Sequence, residues 1–309
     1  MNGSNSARWS GEPSLYDRVA MEASSVVIRR YSTSFGLASR LLAPPVRQHV
    51  ENIYALVRLA DEVVDGVAAS ASLDRAEITR RIDALERETC VAMSCGYSTN
   101  LVVHAFGLTA RRVGIGEDLT APFFRSMRAD IFETQHTPES FDDYVYGSAE
   151  VVGLMCLAAF LDDVPMTQRR RAALVDGARH LGAAFQKINF LRDLAADFGT
   201  LGRSYFPGID VGTFTEAEKT RILDDIDDDL RIARASLPGL PPGCRRAVAL
   251  AQGLFEELSD RLRATPAVVL ATARIRVPNP VKARIAAGAA LGRLPRERAP
   301  RPGEGDATQ

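Results

Sequence analysis

Cysteine is scarce in this 309-residue chain, which has only Cys90, Cys95, Cys156 and Cys244. They form no CxxC pair and have no histidine at zinc-finger spacing. That excludes a disulfide scaffold and a zinc-finger site, and leaves free thiols in a reducing compartment as the expectation. Tryptophan occurs once, and lysine only as Lys187, Lys219 and Lys282. Arginine therefore supplies most of the positive charge. The sum of 38 basic and 39 acidic residues, a formal charge of -1, excludes a protein held on nucleic acid by bulk positive charge. No nucleic-acid partner is expected. No unbroken apolar run approaches the ~18 residues of a membrane-crossing helix. The opening MNGSNSARWSGEPS lacks the apolar stretch of a signal peptide, so the expected location is the cytoplasm. Alternation of β-branched and aromatic residues is sparse, and no period of 20–50 residues repeats.

What is present is an ordinary globular mixture, 46% hydrophobic and 25% charged. Ala, Leu, Arg and Glu dominate, which predicts an all-α protein. The simplest organisation is one helical domain over residues 13–277 and a short basic helix over 278–294. Disordered tails are expected at 1–12 and 295–309. Pro44-Pro45, Pro165, Pro207-Gly208 and Pro241-Pro242-Gly243 punctuate the helices. Asp74–Glu88 reads as a charged amphipathic helix. Ile222, Ile226, Leu230, Ala233 and Leu237 form an apolar stripe on another.

Two segments carry chemistry. In Asn52–Asp65, Tyr54, Arg58, Asp61 and Asp65 are spaced 4, 3 and 4 apart, so they share one helix face among Ile53, Leu56, Val57, Ala60, Val63 and Val64. In Gly182–Asp197, Gln186, Asn189, Asp193 and Asp197 are spaced 3, 4 and 4 apart among Phe185, Ile188, Phe190, Leu191 and Leu194. Each stripe holds carboxylates at i and i+4, which repel one another when both ionise. A hard cation relieves that repulsion, and Mg²⁺ is the one that favours a few carboxylates plus substrate phosphates. A diphosphate completes the picture, with Arg58, Lys187, Arg192 and Arg203 near enough in sequence to neutralise it. The cluster Asp224, Asp225, Asp227, Asp228 and Asp229 also offers i,i+4 pairs. It is flanked by Lys219, Arg221, Arg231 and Arg234 and reads as a solvated face. His49, His104, His136 and His180 lie outside both stripes and read as surface or capping residues.

The segment Tyr54-Ala55-Leu56-Val57-Arg58 followed by Asp61-Glu62-Val63-Val64-Asp65 resembles the first aspartate-rich motif of squalene and phytoene synthases. Asn189-Phe190-Leu191-Arg192-Asp193-Leu194-Ala195-Ala196-Asp197, followed by Gly202-Arg203-Ser204-Tyr205-Phe206-Pro207, resembles their second. Ser32-Thr33-Ser34-Phe35 is similar to the N-terminal flap. Tyr144–Gly153 is similar to the third conserved helix. The resemblance covers roughly residues 20–275 and is closest to bacterial phytoene synthases. Three features depart from it. Tyr31 stands where the family often has His, and Glu150 interrupts the usual A-G-T-V-G. The Asp197-to-Gly202 spacing is one residue longer than usual.

The resemblance implies a single-domain helical bundle of the isoprenoid synthase type around a central cavity. It implies head-to-head condensation of two geranylgeranyl diphosphates to phytoene through a cyclopropylcarbinyl diphosphate. Farnesyl diphosphate, giving squalene, dehydrosqualene or hydroxysqualene, is the alternative substrate. A non-catalytic helical scaffold is the alternative of another class. The implied metal ligands are Asp61, Asp65, Asn189, Asp193 and Asp197, holding Mg²⁺ with Mn²⁺ as a substitute, and no NADPH is expected. The implied substrate contacts are Ser32, Ser34, Phe35, Tyr54, Arg58, Arg192, Arg203 and Tyr205. Tyr144 and Gln186 join Arg58, Tyr205 and the metal ligands as implied catalytic residues. Two readings stay open for the apolar run Val151–Leu161, prenyl tunnel or ordinary core, and for Gly147 and Gly153, room for substrate or close helix packing. Two also stay open for the C-terminal basic segment, where Arg274, Arg276, Lys282, Arg284 and Arg293 interleave with Ile275, Val277, Val281, Ile285 and Leu291. It is either a peripheral membrane contact or a packing helix with a solvated face.

Overall fold

The computed structural model describes residues 12–66, 71–196 and 204–292. Asp197, Arg203, Arg293 and nearly all of the two expected tails lie outside those residues.

Helices begin where a short polar side chain meets the first free backbone N–H groups. Ser14 caps α1 (Leu15–Tyr31) by accepting from Asp17 N–H, and Ser32 caps α2 (Thr33–Ser39) by accepting from Phe35 N–H. Helix α3 (Pro44–Val64) starts instead on proline, whose missing N–H costs nothing in a first turn. Asp74 caps α4 (Arg75–Cys95), so the charged helix expected at Asp74–Glu88 runs two turns further, to the left-handed Gly96. Then come α5 (Leu101–Val113), α6 (Glu117–Phe132) and α7 (Pro138–Val145). A π-helical turn, Tyr146–Glu150, joins α7 to α8 (Val151–Phe160). The long α9 (Gln168–Ala196) is followed by α10 (Glu216–Ser236), α11 (Pro242–Ala264), the single turn α12 (Ala267–Leu270) and α13 (Asn279–Ala290). The only β-type pairing among the described residues is an isolated bridge between Gln135 and Ser204.

Two cores form. One is built from α3, α4, α5, α6 and α8, and includes Ile53, Leu56, Ile82, Phe106, Phe124 and Met155. The other gathers Ile188, Phe190, Leu191, Tyr205, Leu223, Ile226, Leu230 and Leu258 around α9, α10 and α11. Ile222, Ile226, Leu230, Ala233 and Leu237 are all buried, as their spacing predicts. Helix α8 packs on both α3 and α9. The apolar neighbours of the two polar stripes therefore belong to different cores.

The run Val151–Leu161 supplies Val151, Met155 and Ala159 to one core and Leu157 and Leu161 to another cluster beside Leu174. By length and composition, the continuous helical stretch Pro138–Phe160 holds an 18-residue window apolar enough to cross a membrane, with a mean hydropathy of 1.2. In the fold it packs on α3, α6 and α9 as an internal helix. Gly147 and Gly153 serve close packing. A Cβ on Gly147 would lie 2.3 Å from Pro122 O, and one on Gly153 would lie 2.4 Å from Ala178 O.

Several expectations for polar residues change. His104 is buried and far from capping duty. Its Nε2 lies 2.7 Å from Asp17 Oδ1, while its Nδ1 accepts from Ser98 N–H at 3.3 Å. Burial pushes the Asp17 carboxyl up, but hydrogen bonds from His104 and Ser14 outweigh it and hold it below the usual range. The imidazole of His136 is also buried, with 3% of its side-chain surface accessible. The acidic face of α10 is only partly solvated. Asp229 is buried between His180 and Lys187, and Asp224 and Asp227 pair with Arg263. Glu150 is half-buried and pairs with Arg179 Nε at 2.6 Å. In the C-terminal segment, Arg274 and Arg276 precede α13, which lays Ile285, Ala286 and Ala289 on Leu250 and Leu254 of α11.

Candidate active site

The first stripe lies where α3 leaves its core. Ile53, Ala55, Leu56 and Ala60 are buried, while Tyr54, Arg58 and Asp61 are half-buried one helical face away. Asp65 follows the last helical residue, with its N–H bonded to Asp61 O at 2.8 Å. Burial pushes the Asp61 carboxyl up to about 7; Arg58 opposes this, and Asp65 and Glu62 add to it. Yet 36% of the Asp61 side-chain surface is accessible. Asp61 is thus crowded by protein yet still open to solvent. Burial likewise raises Tyr54 in the same position.

Arg58 is the positive member of this stripe. It pairs with Glu62 one turn on and reaches Asp61 at 3.8 Å. Its guanidinium lies over the ring of Tyr31 at 4.5 Å from the centroid. Burial acts to lower the Arg58 pKa, but Glu62 and Asp61 prevail and hold it above its ordinary value. Ser32, besides capping α2, is a hydrogen-bond partner of Tyr54. Phe35 sits between α2 and the bundle, 5.7 Å from Phe185 and 5.6 Å from Phe255, whose rings stack at 3.9 Å. Ser34, on the same short helix, is half-buried.

The second stripe repeats the pattern on α9. Gln186, Asn189 and Asp193 are half-buried, while Ile188, Phe190, Leu191 and Leu194 are buried. Asp193 is held by two arginines. Arg192 bonds it from the neighbouring position, and Arg274 Nε lies 2.7 Å from Oδ1. Arg274 was grouped by sequence with the terminal basic segment, but it belongs here. Lys187 does not. Its ammonium is bound by Asp225 and Asp229 on α10, which raise its pKa against the effect of burial. It is therefore withdrawn from the groups that neutralise a diphosphate.

Tyr144 and Tyr205 are buried rather than exposed to an open site. Both hydroxyls donate to Asp130 of α6, and Tyr205 stacks on Phe190 at 4.0 Å with the planes 10° apart. Asp65 contributes to the rise of the Tyr144 pKa, so this group adjoins the first stripe. Reading the sequence missed Asp130, His136 and Arg274. A signal existed for Asp130: it falls on the apolar face formed by Phe123, Phe124, Met127 and Ile131. Arg274 offered none, because its partner is 81 positions away.

Among the described residues, no three acidic, His or Cys side chains converge as a closed metal cage. The donors are instead split between two helices. That suits a hard cation completed by substrate phosphate oxygens, and the mutual crowding of Asp61, Asp65 and Glu62 favours a positive charge there.

Comparison with known proteins bears on the family and the fold. The family model for squalene/phytoene synthase matches residues 28–280. The phytoene synthase of Pseudescherichia vulneris is 27% identical over 255 residues, covering 75% of this chain and 79% of that protein. The 15-cis-phytoene synthase of a Paracoccus species is 27% identical over 256 residues, covering 78% and 81%. In three dimensions, a dehydrosqualene synthase crystallised with ligand superposes with a TM-score of 0.73 at 20% identity, covering 89% of this chain and 97% of that one. The shared architecture is the isoprenoid synthase helical fold.

Proposed function

The chain belongs to the squalene/phytoene synthase family, and we propose that it joins two molecules of geranylgeranyl diphosphate head to head. The product is phytoene, formed through a cyclopropylcarbinyl diphosphate with release of diphosphate. The observation that carries this reading is the pair of polar stripes on α3 and α9. Their apolar neighbours belong to different cores, and a crowded yet accessible Asp61 stands in the first. The relatives named as phytoene synthases favour the C20 substrate over farnesyl diphosphate.

In this reading Asp61, Asp65, Asn189 and Asp193, with Asp197, would hold Mg²⁺ or Mn²⁺. The bound metal would supply Lewis-acid assistance to the departing diphosphate. The chain's own groups do the rest. Arg58, Arg192 and Arg274 offer planar donor forks that receive the diphosphate as its charge grows. Gln186 orients the substrate from the same face as Asn189. Phe35, Phe185 and Phe255 cover the space between α2, α9 and α11 with rings, which excludes water that would otherwise capture an allylic cation as an alcohol. The reaction ends by proton loss, so no hydride donor is required.

The test is incubation of purified protein with Mg²⁺ and either geranylgeranyl or farnesyl diphosphate, without NADPH, and identification of the hydrocarbon by mass spectrometry. Phytoene from the C20 substrate is expected. A C30 product alone moves the assignment to the farnesyl substrate. No condensation with either substrate, from a folded protein, favours a non-catalytic scaffold.

A further inference from the structure

Asp130 occupies an expensive position. It lies on the core-facing side of α6 and is only 5% exposed. A carboxyl there is tolerated when its oxygens are used in hydrogen bonds. They are used by two tyrosines from different segments. Tyr144 at the end of α7 donates its hydroxyl to Oδ1 at 2.8 Å and Oδ2 at 2.9 Å. Tyr205, beyond the second stripe, donates to Oδ1 at 3.4 Å. Their ring centroids are 5.5 Å apart. Tyr205 has two nearly parallel partners: Phe190 at 4.0 Å and the imidazole of His136 at 6.0 Å, inclined by 10° and 15°. Phe190 directly follows Asn189 on α9. A single carboxyl thus ties α6, the end of α7 and the segment after α9 into one aromatic wall.

We propose that Asp130 is a positioning residue for the condensation, holding Tyr144 and Tyr205 in the wall beside the second stripe so that their hydroxyls stay turned away from the cationic intermediates. The inference rests on the head-to-head reaction proposed above. A prenyl cation is attracted to the electron-rich face of a ring, whereas a freely rotating hydroxyl can capture it through oxygen. Asp130 fixes both hydroxyl protons toward itself. Asp130 itself is only 5% exposed.

The experiment compares wild-type protein with Asp130→Leu, Asp130→Asn, Tyr144→Phe and Tyr205→Phe. For each, kcat, KM and the partition of product among phytoene, the cyclopropylcarbinyl diphosphate and prenyl alcohols are measured. Near-ultraviolet circular dichroism reports the packing of the tyrosines independently of activity. Asp130→Leu is expected to lower kcat at least tenfold, with KM changed less than threefold, and to divert product toward the intermediate and alcohols. Its tyrosine dichroism should fall to the level of the two Tyr→Phe variants. Asp130→Asn keeps an amide oxygen that accepts one phenol proton, so its partition and dichroism should lie between wild type and Asp130→Leu. A folded Asp130→Leu protein with wild-type partition and wild-type dichroism overturns the proposal. If wild-type protein condenses neither substrate, the reading of function fails instead, and the dichroism comparison alone decides whether Asp130 orders the two tyrosines.

Discussion

Arg274 Nε and Asp193 Oδ1 lie 2.7 Å apart, joining the coil before the last helix to the second polar stripe. Half of the Arg274 side-chain surface is accessible, so the pair is worth little as a fold-stabilising contact. Its value is positional: it places a guanidinium beside the site. Replacing Arg274 by Gln should change thermal stability little and lower kcat/KM for the prenyl diphosphate roughly 10- to 100-fold, a cost of about 1.4–2.7 kcal/mol. Asp193→Asn should abolish condensation while leaving the fold intact by circular dichroism. Steady-state assays of both variants check this, and an Arg274→Gln enzyme with wild-type kinetics would remove Arg274 from the site.

Asp61 gives a pH dependence whose sign follows from linkage. Its carboxyl is raised from 3.8 to about 7 in the folded, metal-free protein, so the fold retains a proton that the unfolded chain has lost. The stability contributed by the protonated form is fully present below pH ~4 and is lost as pH rises through about 7. Thermal melts without divalent metal should therefore show Asp61→Asn gaining on wild type between pH 5 and pH 8. Added Mg²⁺ should raise the wild-type melting temperature at pH 8 more than that of the variant. Parallel pH profiles for the two proteins would contradict the assignment.

Lys187 tests a different point, because it sits beside the second stripe in sequence yet serves the α9–α10 interface. Its ammonium is 2.8 Å from the buried Asp229 and 2.6 Å from Asp225. Lys187→Met leaves a buried carboxylate without one of its cations, and should cost about 2–4 kcal/mol of unfolding free energy. Urea denaturation measures it. Protein that remains folded should bind substrate with unchanged affinity, and a large rise in KM would restore Lys187 to the diphosphate site.

Gly153 is where α8 meets α9. An added Cβ would lie 2.4 Å from Ala178 O, and that oxygen belongs to rigid helical backbone. Gly153→Ala should therefore destabilise by about 1–3 kcal/mol, although alanine is the better helix former. A variant as stable as wild type in urea would show that the two helices separate at little cost.

Both polar stripes of the candidate site are legible in the sequence alone. The stripes Tyr54, Arg58, Asp61 and Gln186, Asn189, Asp193 were found because α-helical periodicity is local: residues three and four apart share a face whatever the rest of the chain does. The same property exposed the buried stripe of α10 from Ile222 to Leu237. Asp65 was harder, because it lies one residue past the end of α3, and helix ends depend on what the chain does next.

The local pattern also settled the all-α class and the two motifs that identify the family, since both are properties of short segments. Tertiary structure alone decided which charges meet which partners. Lys187 finds its partner Asp229 across 42 positions, Tyr205 finds Asp130 across 75 and Arg274 finds Asp193 across 81. Those separations close only when α6, α9, α10 and the coil before α13 pack. Packing is set by the shapes of the apolar faces, not by the charged residues themselves. A carboxylate's neighbours in sequence thus showed that it could matter, and its neighbours in space determined whether it stays open to solvent, anchors a tyrosine or holds two helices together.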